Sequence, residues 1–511
     1  MDFKLDNHFL ELRADVDRTN RPRQVLDAFY SYVEPRVFTD SKLLLSSESC
    51  AMLLGVSKDQ FHSKYFENFL TAQLNLGMEP YACLYGGHQF GHWAGQLGDG
   101  RAITFGQVKG LDQTYTIQFK GLGPTPYSRA GDGYAVLRSS IREYLMSEAM
   151  AYLGVPTTRA LSLALSGEFP MRDRYYNGNP KKEPGAIVCR VAPNFIRFGS
   201  FEIFAAREDL INLKILTDYT IEHYFPEIKV QDKSDYIRFF EQVAQKSLET
   251  LVHWQSIGFV HGVLNTDNMC ITGETIDYGP YGFLDAYDPS WTPNTTDAQH
   301  RRYRYENQPN IVLWNLLKLA NALYPLCEDA KAFETILNRF KLQFEQQMLQ
   351  KNKLKLGLYT EAATDESMIE SLFNLMFESK ADFTLTFRKL SELNRSQLTF
   401  ESIKDVFYID SMTDKLKNQW IDWLMNFQKR LADQGVDDLV RQEKMKQHNP
   451  RFILRNYMLE EAIQKAELED YSLLTELSEL LKTPYHDNPK ADQWIVVKPN
   501  TAGDSSLSCS S

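Results

Sequence analysis

The densest chemistry in this chain lies between residues 258 and 285, where His261-Gly262 is followed by Asn268 and then by Asp277-Tyr278-Gly279. An asparagine and an aspartate supply oxygen ligands, the kind a hard divalent cation such as Mg2+ prefers. The HGxxxxxN spacing reproduces kinase-like catalytic loops, and DYG stands where those enzymes carry DFG. Upstream, YTIQFKG ends an alternating strand at Lys120, and Glu143 sits on the helix that follows. A strand lysine held by a helix glutamate is how such enzymes aim a cation at nucleotide phosphates. GQLGDGRAITF adds Gly98 and Gly100, which permit close backbone approach, with Arg101 as a neighbouring cation. AGDG places Asp132 between Gly131 and Gly133, a turn or a second nucleotide contact. Each piece alone reads as a hairpin turn or a solvated charge, and the weight lies in their order along the chain. One position breaks the pattern. The kinase base position is occupied by Val263, which cannot accept a proton, and Asp267 is the available replacement. The chemistry therefore differs from ordinary γ-phosphoryl transfer, or is absent.

These residues need elements to hold them. Residues 1–80 read as an N-terminal extension packed on the core, with a helix in FHSKYFENFLTAQL. From 81 to 205, strand-like runs (AITFGQV, YTIQFKG, AIVCRVA) alternate with glycine-rich turns around one helix, VLRSSIREYLMSEAMAYLG, apolar mainly on one face. From 206 to 484 helical periodicity dominates, interrupted by a strand-and-loop island over 259–290 that includes a short strand in MCIT. The apolar NIVLWNLLKLANAL reads as a buried spine. The polar tail, 485–511, reads as mobile and carries Cys509. The expected fold is α+β and two-lobed, with a small sheet-rich N-lobe, a larger helical C-lobe and a cleft between them.

Composition narrows the function classes. Of 511 residues, 43% are hydrophobic, enough for a sizeable core. Lys+Arg 56 against Asp+Glu 67 gives a net charge of −11, which argues against nucleic acid or membrane as a non-specific partner because both are polyanions. No run approaches the roughly 18 apolar residues of a membrane helix, and the N-terminus lacks a signal-peptide pattern. Six scattered cysteines without a CxxC argue against a disulfide framework or structural zinc, so a cytoplasmic setting is expected. His88 and His92 in GGHQFGHW have a metal-like spacing, but the glycines oppose a helix and no third ligand is near. The sequence sets no oligomeric state.

YGGHQFGHWAGQLGDGRA, QFKGLGPTPYSRAGDGYAVLRSSIREYL, CRVAPNFIRFGSFE and HGVLNTDNMCITGETIDYGPYGFLD together resemble the selenoprotein O family, called YdiU in bacteria, across residues 85–285. The resemblance implies a pseudokinase fold that binds ATP inverted, so that AMP passes to Ser, Thr or Tyr hydroxyls of protein substrates and pyrophosphate leaves. Carried over by motif, Gly98, Gly100 and Arg101 contact the nucleotide, and Lys120 holds phosphate with Glu143 orienting it. Asp132 and Gly133 meet ATP, and Arg190 and Arg197 bind phosphates of the inverted nucleotide. Asp267 is the base, Asn268 and Asp277 ligate Mg2+ or Mn2+, and Asp277 also faces ATP. Some bacterial relatives use UTP with Mn2+, which makes UMP transfer a variant. The family also carries a redox residue near its C-terminus, the place of Cys509. The segment after DYG, AYDPSWTPNTTDAQH, lacks a cysteine to pair with it, leaving Cys270 or an external thiol. Two rivals stand beside this reading. An ordinary phosphotransferase is opposed by Val263 and by the Asp132, Arg190 and Arg197 set. A catalytically inactive ATP-binding scaffold is opposed by the presence of Asp267, Asn268 and Asp277.

Overall fold

In the computed structural model the described residues are 3–174, 178–408, 412–499 and 507. Alternating apolar residues with β-branched and aromatic enrichment build an antiparallel sheet from eight strands among these residues. They are β1 (Tyr30–Tyr32), β2 (Lys42–Ser46), β3 (Tyr81–Cys83), β4 (Ala102–Lys109), β5 (Thr114–Lys120), β6 (Ala135–Val136), β7 (Arg159–Leu165) and β8 (Gly185–Ala192). The spatial order is β1-β3-β4-β5-β8-β7-β2, with β6 paired to one end of β8. Residues 1–80 thus supply both edges of the sheet, β1 and β2. Strand β7, from ALSLAL, was not among the expected runs.

Helix α1 (Leu137–Tyr152) lies across β7 and β8 and is covered on its other side by α5 (Asn456–Glu467), beyond α2 (Phe198–Ala206), α3 (Ser234–Ile257) and α4 (Gln308–Cys327) in the chain. The sequence predicts one apolar face for α1, yet 14 of its 16 residues are buried. Its polar face is consumed by ion pairs: Arg138 with Glu183 at 2.7 Å, Glu148 with Arg159 at 2.7 Å, and Glu143 as described below. Such pairing is what allows charged side chains to leave water.

From α2 onward the chain is largely helical. Within this part, short strands Phe259–Val260 and Gly282–Phe283 pair antiparallel and close the loop island between them. The strand expected over MCIT is reduced to isolated bridges, Arg197 with Cys270 and Met269 with Thr275, because its backbone splits between two partners. Helix α4 is a buried spine with a second task. Gln308 accepts from the His261 amide at 2.9 Å, and Asn315 Nδ2 donates to the Leu264 carbonyl at 3.0 Å. The tail begins later than expected: Pro489–Trp494 forms a 3-10 turn with Ala491 buried, and the Tyr485 hydroxyl donates to the Leu153 carbonyl at 3.0 Å. Cys509 lies outside the described residues. Leu507 is described, buried, and its carbonyl accepts from both the amide and hydroxyl of Thr295 at 2.7 Å. No helix among the described residues is long and apolar enough to cross a membrane.

Candidate active site

Side chains two apart on a strand share a face, so Gln118 and Lys120 of β5 project together. Arg190 of β8 is the cross-strand partner of Gln118 and joins them on that face. Lys120 and Arg190 meet α1 at Glu143, and Gln118 accepts from Arg190. Lys120 Nζ lies 2.5 Å from Glu143 Oε2, and Arg190 Nη1 donates to Glu143 Oε1 at 2.9 Å. The Glu143 carboxylate is 2% exposed. Burial pushes its pKa up, but Lys120 and Arg190 outweigh that and hold it below the usual glutamate range. Burial lowers the pKa of Lys120 against the opposing pull of Glu143.

The loop island brings the remaining groups. His261 Nε2 contacts the Ile276 carbonyl at 3.0 Å and fastens the loop carrying Asp267 and Asn268 to the segment entering DYG. Asp277 sits in left-handed backbone, φ +60°, and places one carboxylate oxygen on each arginine: Oδ1 on Arg190 at 2.6 Å and Oδ2 on Arg197 at 2.5 Å. Burial alone would raise its pKa, yet the guanidiniums of Arg197 and Arg190 bring it well below the ordinary carboxylate range. Arg197, immediately before α2, also donates to the Asp267 carbonyl at 2.7 Å and lies 3.7 Å from Asp99 Oδ1. Arg190 Nε and Arg197 Nε have no acceptor among the described residues.

Asp267 faces the same space. Gln89 Nε2 donates to its Oδ2 at 2.9 Å, while its buried Oδ1 has no hydrogen-bond partner among the described residues. Burial lifts its pKa to about 6. Asn268 Nδ2 donates to the Val263 carbonyl at 2.8 Å, which turns Oδ1 to the other side of the amide. Val263 lines the same cleft.

The cleft encloses about 850 Å³, within the range of small-molecule sites. Every described site residue predicted from the sequence lines it except Glu143, which lies behind Lys120. The structure gives the glycine loop a further reason for its composition. A Cβ on Gly98, at φ +99°, would come within 2.4 Å of the Tyr127 ring, and one on Gly100 within 2.9 Å of the Tyr127 carbonyl. The loop is thus packed under Tyr127. Asp132 does not point freely at the cleft, because Arg172 holds both carboxylate oxygens at 2.7 Å and also donates to the Tyr134 carbonyl at 3.0 Å. Gly133 is wedged beside it, where a Cβ would lie 2.0 Å from the Gly123 carbonyl. His88 and His92 fall on opposite faces of a hairpin, since His88 registers with Trp93 and Gln89 with His92. His88 Nδ1 is taken by Glu202 at 2.6 Å.

Sequence reading missed Gln89, Asp99, Gln118 and Arg172. Strand alternation from Lys120 could have found Gln118. The other three are placed by turns and long-range pairing with no local signal.

A divalent cation fits this arrangement. Asp277 is kept ionised, and the Asn268 amide oxygen is oriented away from Val263. The donors are a carboxylate and an amide, and no group of three or more His, Cys, Asp or Glu forms a metal cluster among the described residues. A complete shell would draw on phosphate oxygens and water, as Mg2+ commonly does.

The family model for protein adenylyltransferase SelO matches residues 13–482. A protein nucleotidyltransferase YdiU from Flavobacterium johnsoniae is 49% identical, covering 99% of both chains. Proteins of the same name from Azoarcus sp. and Rhodopirellula baltica are 47% and 45% identical, covering 99% and 100% of this chain and 99% of each relative. These matches make the chain an enzyme of the nucleotidyltransferase class. It belongs to the protein adenylyltransferase SelO family.

Proposed function

We propose that the cleft transfers AMP from ATP to Ser, Thr or Tyr hydroxyls of protein substrates, on a kinase-like two-lobed scaffold that holds the nucleotide inverted. The observation that carries this reading is Asp267, a buried carboxylate whose Oδ1 has no partner among the described residues, on a residue that lines the same cleft as Lys120, Arg190, Arg197 and Arg101. Val263 in the ordinary base position gives the acceptor no other carboxylate on that loop. In the step proposed, the acceptor hydroxyl gives its proton to Asp267 as its oxygen bonds to the α-phosphorus. The bond from the α-phosphorus to the oxygen bridging to the β-phosphorus breaks, and pyrophosphate leaves with that electron pair. Lys120, Arg190 and Arg197, which line the cleft, hold the phosphates. Transfer from a polyphosphate rests mainly on such positioning and charge neutralisation. Mg2+ or Mn2+ held by Asn268 and Asp277 would neutralise phosphate charge. UTP with Mn2+ is a variant substrate pair for the same groups. The five described cysteines are unpaired, which supports a cytoplasmic setting.

The test uses ATP labelled separately at the α and γ phosphates, with Mg2+ or Mn2+, and Asp277→Ala as control. Protein carrying α-label alone, lost in the variant, is the expected result. Transfer of γ-label would overturn AMP transfer in favour of ordinary phosphorylation.

A further inference from the structure

The hairpin His88–Trp93 is bolted to the loop that carries Asp267. His88 N donates to Thr266 Oγ1 at 2.7 Å, Gln89 to Asp267, and Phe90 N to the Tyr303 hydroxyl at 2.9 Å. Tyr303 belongs to QHRRYR, residues 299–304, the most basic stretch beside the cleft in a chain of net charge −11. At the hairpin tip a Cβ on Gly91 would lie 3.5 Å from the Arg302 guanidinium, so this cation abuts the turn. Arg302 stacks 4.7 Å from the Trp314 ring, and Lys318 lies 4.7 Å from the same ring. Two cations thus share one indole. Neither forms an ion pair among the described residues, and Arg302 Nε has no acceptor among them; the Asp297 carboxylate beside Arg302 accepts its main-chain N–H at 2.9 Å. Arg304 shows the ordinary alternative, being paired with Glu306 at 2.6 Å. Arg301 and His300 are exposed beside them, and Trp93 is exposed on the hairpin.

Uncompensated like charges held side by side repel one another, and a protein of net negative charge has ample acids with which to neutralise them. Arg302 and Lys318 instead share an indole and make no ion-pair contact among the described residues, which leaves both able to receive an acidic group. We propose that Arg302 and Lys318 form the docking site for an acidic segment of the protein substrate, flanking the hydroxyl that is presented to Asp267. This inference rests on the AMP-transfer reading above and names its substrate class: proteins whose acceptor Ser, Thr or Tyr lies among Asp and Glu. The cluster lies on the hairpin face opposite Gln89, so it would engage residues a few positions from the acceptor rather than the acceptor itself.

The test gives the full-length protein three series of synthetic peptides, each with one central Ser, Thr or Tyr and with acidic, neutral or basic flanks. AMP transfer from α-labelled ATP gives kcat/KM, and fluorescence anisotropy gives the Kd of each peptide. Acidic peptides are expected to exceed neutral ones about tenfold in kcat/KM, chiefly through KM, with basic peptides lowest. The advantage should shrink as salt screens it, the Debye length being about 8 Å at physiological ionic strength. Arg302→Gln with Lys318→Gln should bring acidic peptides to the neutral level while leaving neutral peptides unchanged. Arg302→Glu with Lys318→Glu should reverse the order, and the charge-keeping exchange Arg302→Lys with Lys318→Arg should retain it. Equal use of the three series by wild type, or a proportionate loss of all three in the double glutamine variant, would overturn the proposal. Tight acidic-peptide binding without AMP transfer to any acceptor would uphold the docking site and sink the AMP-transfer reading. AMP transfer to the protein itself or to neutral peptides, without acidic preference, would do the reverse.

Discussion

Replacing Asp277 by asparagine removes a charge that two buried arginines now share, and keeps nearly the same shape. Arg190 and Arg197 are 1% and 2% exposed and spend one N–H each on this carboxylate, at 2.6 and 2.5 Å. Hydrogen bonds to charged groups contribute about 1.5–3 kcal/mol each. ATP entering without metal must compete with Asp277 for the same guanidiniums and accept its repulsion as well. Asp277→Asn should relieve both terms and tighten metal-free ATP binding at least about tenfold, which corresponds to about 1.4 kcal/mol. The empty variant should be less stable, with about 3–5 kcal/mol as the ceiling for a broken buried pair. Glu143 and Asp99 still face the two arginines and reduce that loss. With Mg2+ or Mn2+ the order should invert: the variant loses a cation ligand, binds metal-ATP more weakly than wild type and transfers no AMP. Calorimetric titration with ATP in chelator and then with metal, beside thermal melts of the empty proteins, measures all of this. A folded Asp277→Asn protein that binds metal-free ATP no more tightly than wild type would refute the idea that the two arginines await phosphate.

Asp267→Asn should abolish transfer, yet stabilise the protein above about pH 6. Burial raises the folded pKa of Asp267 to about 6, above its ordinary value near 4. The protonated form is therefore favoured by folding, and its contribution is complete below the unfolded pKa and lost as pH rises through 6. Melting temperatures from pH 4 to 8 should converge at the acid end and separate in favour of the variant at pH 8, while wild-type activity falls off below about 6. A variant less stable than wild type at pH 8 would contradict the burial argument. Arg172→Ala and Asp132→Ala should each raise the KM for ATP several-fold, and the double variant should be no worse than Asp132→Ala, since Arg172 acts through the carboxylate it holds. Additive losses in that cycle would show that Arg172 works independently.

The Lys120–Glu143 pair was legible because strand alternation and helix periodicity are local signals and their order in the chain is distinctive. Arg190 and Arg197 entered through family resemblance, since CRVAPNFIR by itself reads as a strand with flanking charges, and their pairing with Asp277 is visible only in the fold. Strand β1 has three residues, too few for a period, and its place at the sheet edge is fixed by pairing with β3. The buried polar face of α1 could not be read from its own sequence, because its partners Glu183 and Arg159 lie beyond it in the chain. Asp132 was legible as a residue of interest, but its capture by Arg172 depends on the short hairpin of Met171–Arg172 with Lys181–Lys182.

Arg197 holds the main-chain oxygen of Asp267 and the carboxylate of Asp277 through one nitrogen, Nη1. A guanidinium is flat and stiff, so it acts as a gauge block between the two loops and fixes their spacing to a single value. A change that draws the Asp277 carboxylate outward, such as seating a cation with longer bonds, would draw the backbone of Asp267 after it. Selection on the cation and selection on the acceptor would then act on the same displacement, and the enzyme could not tune one preference without retuning the other.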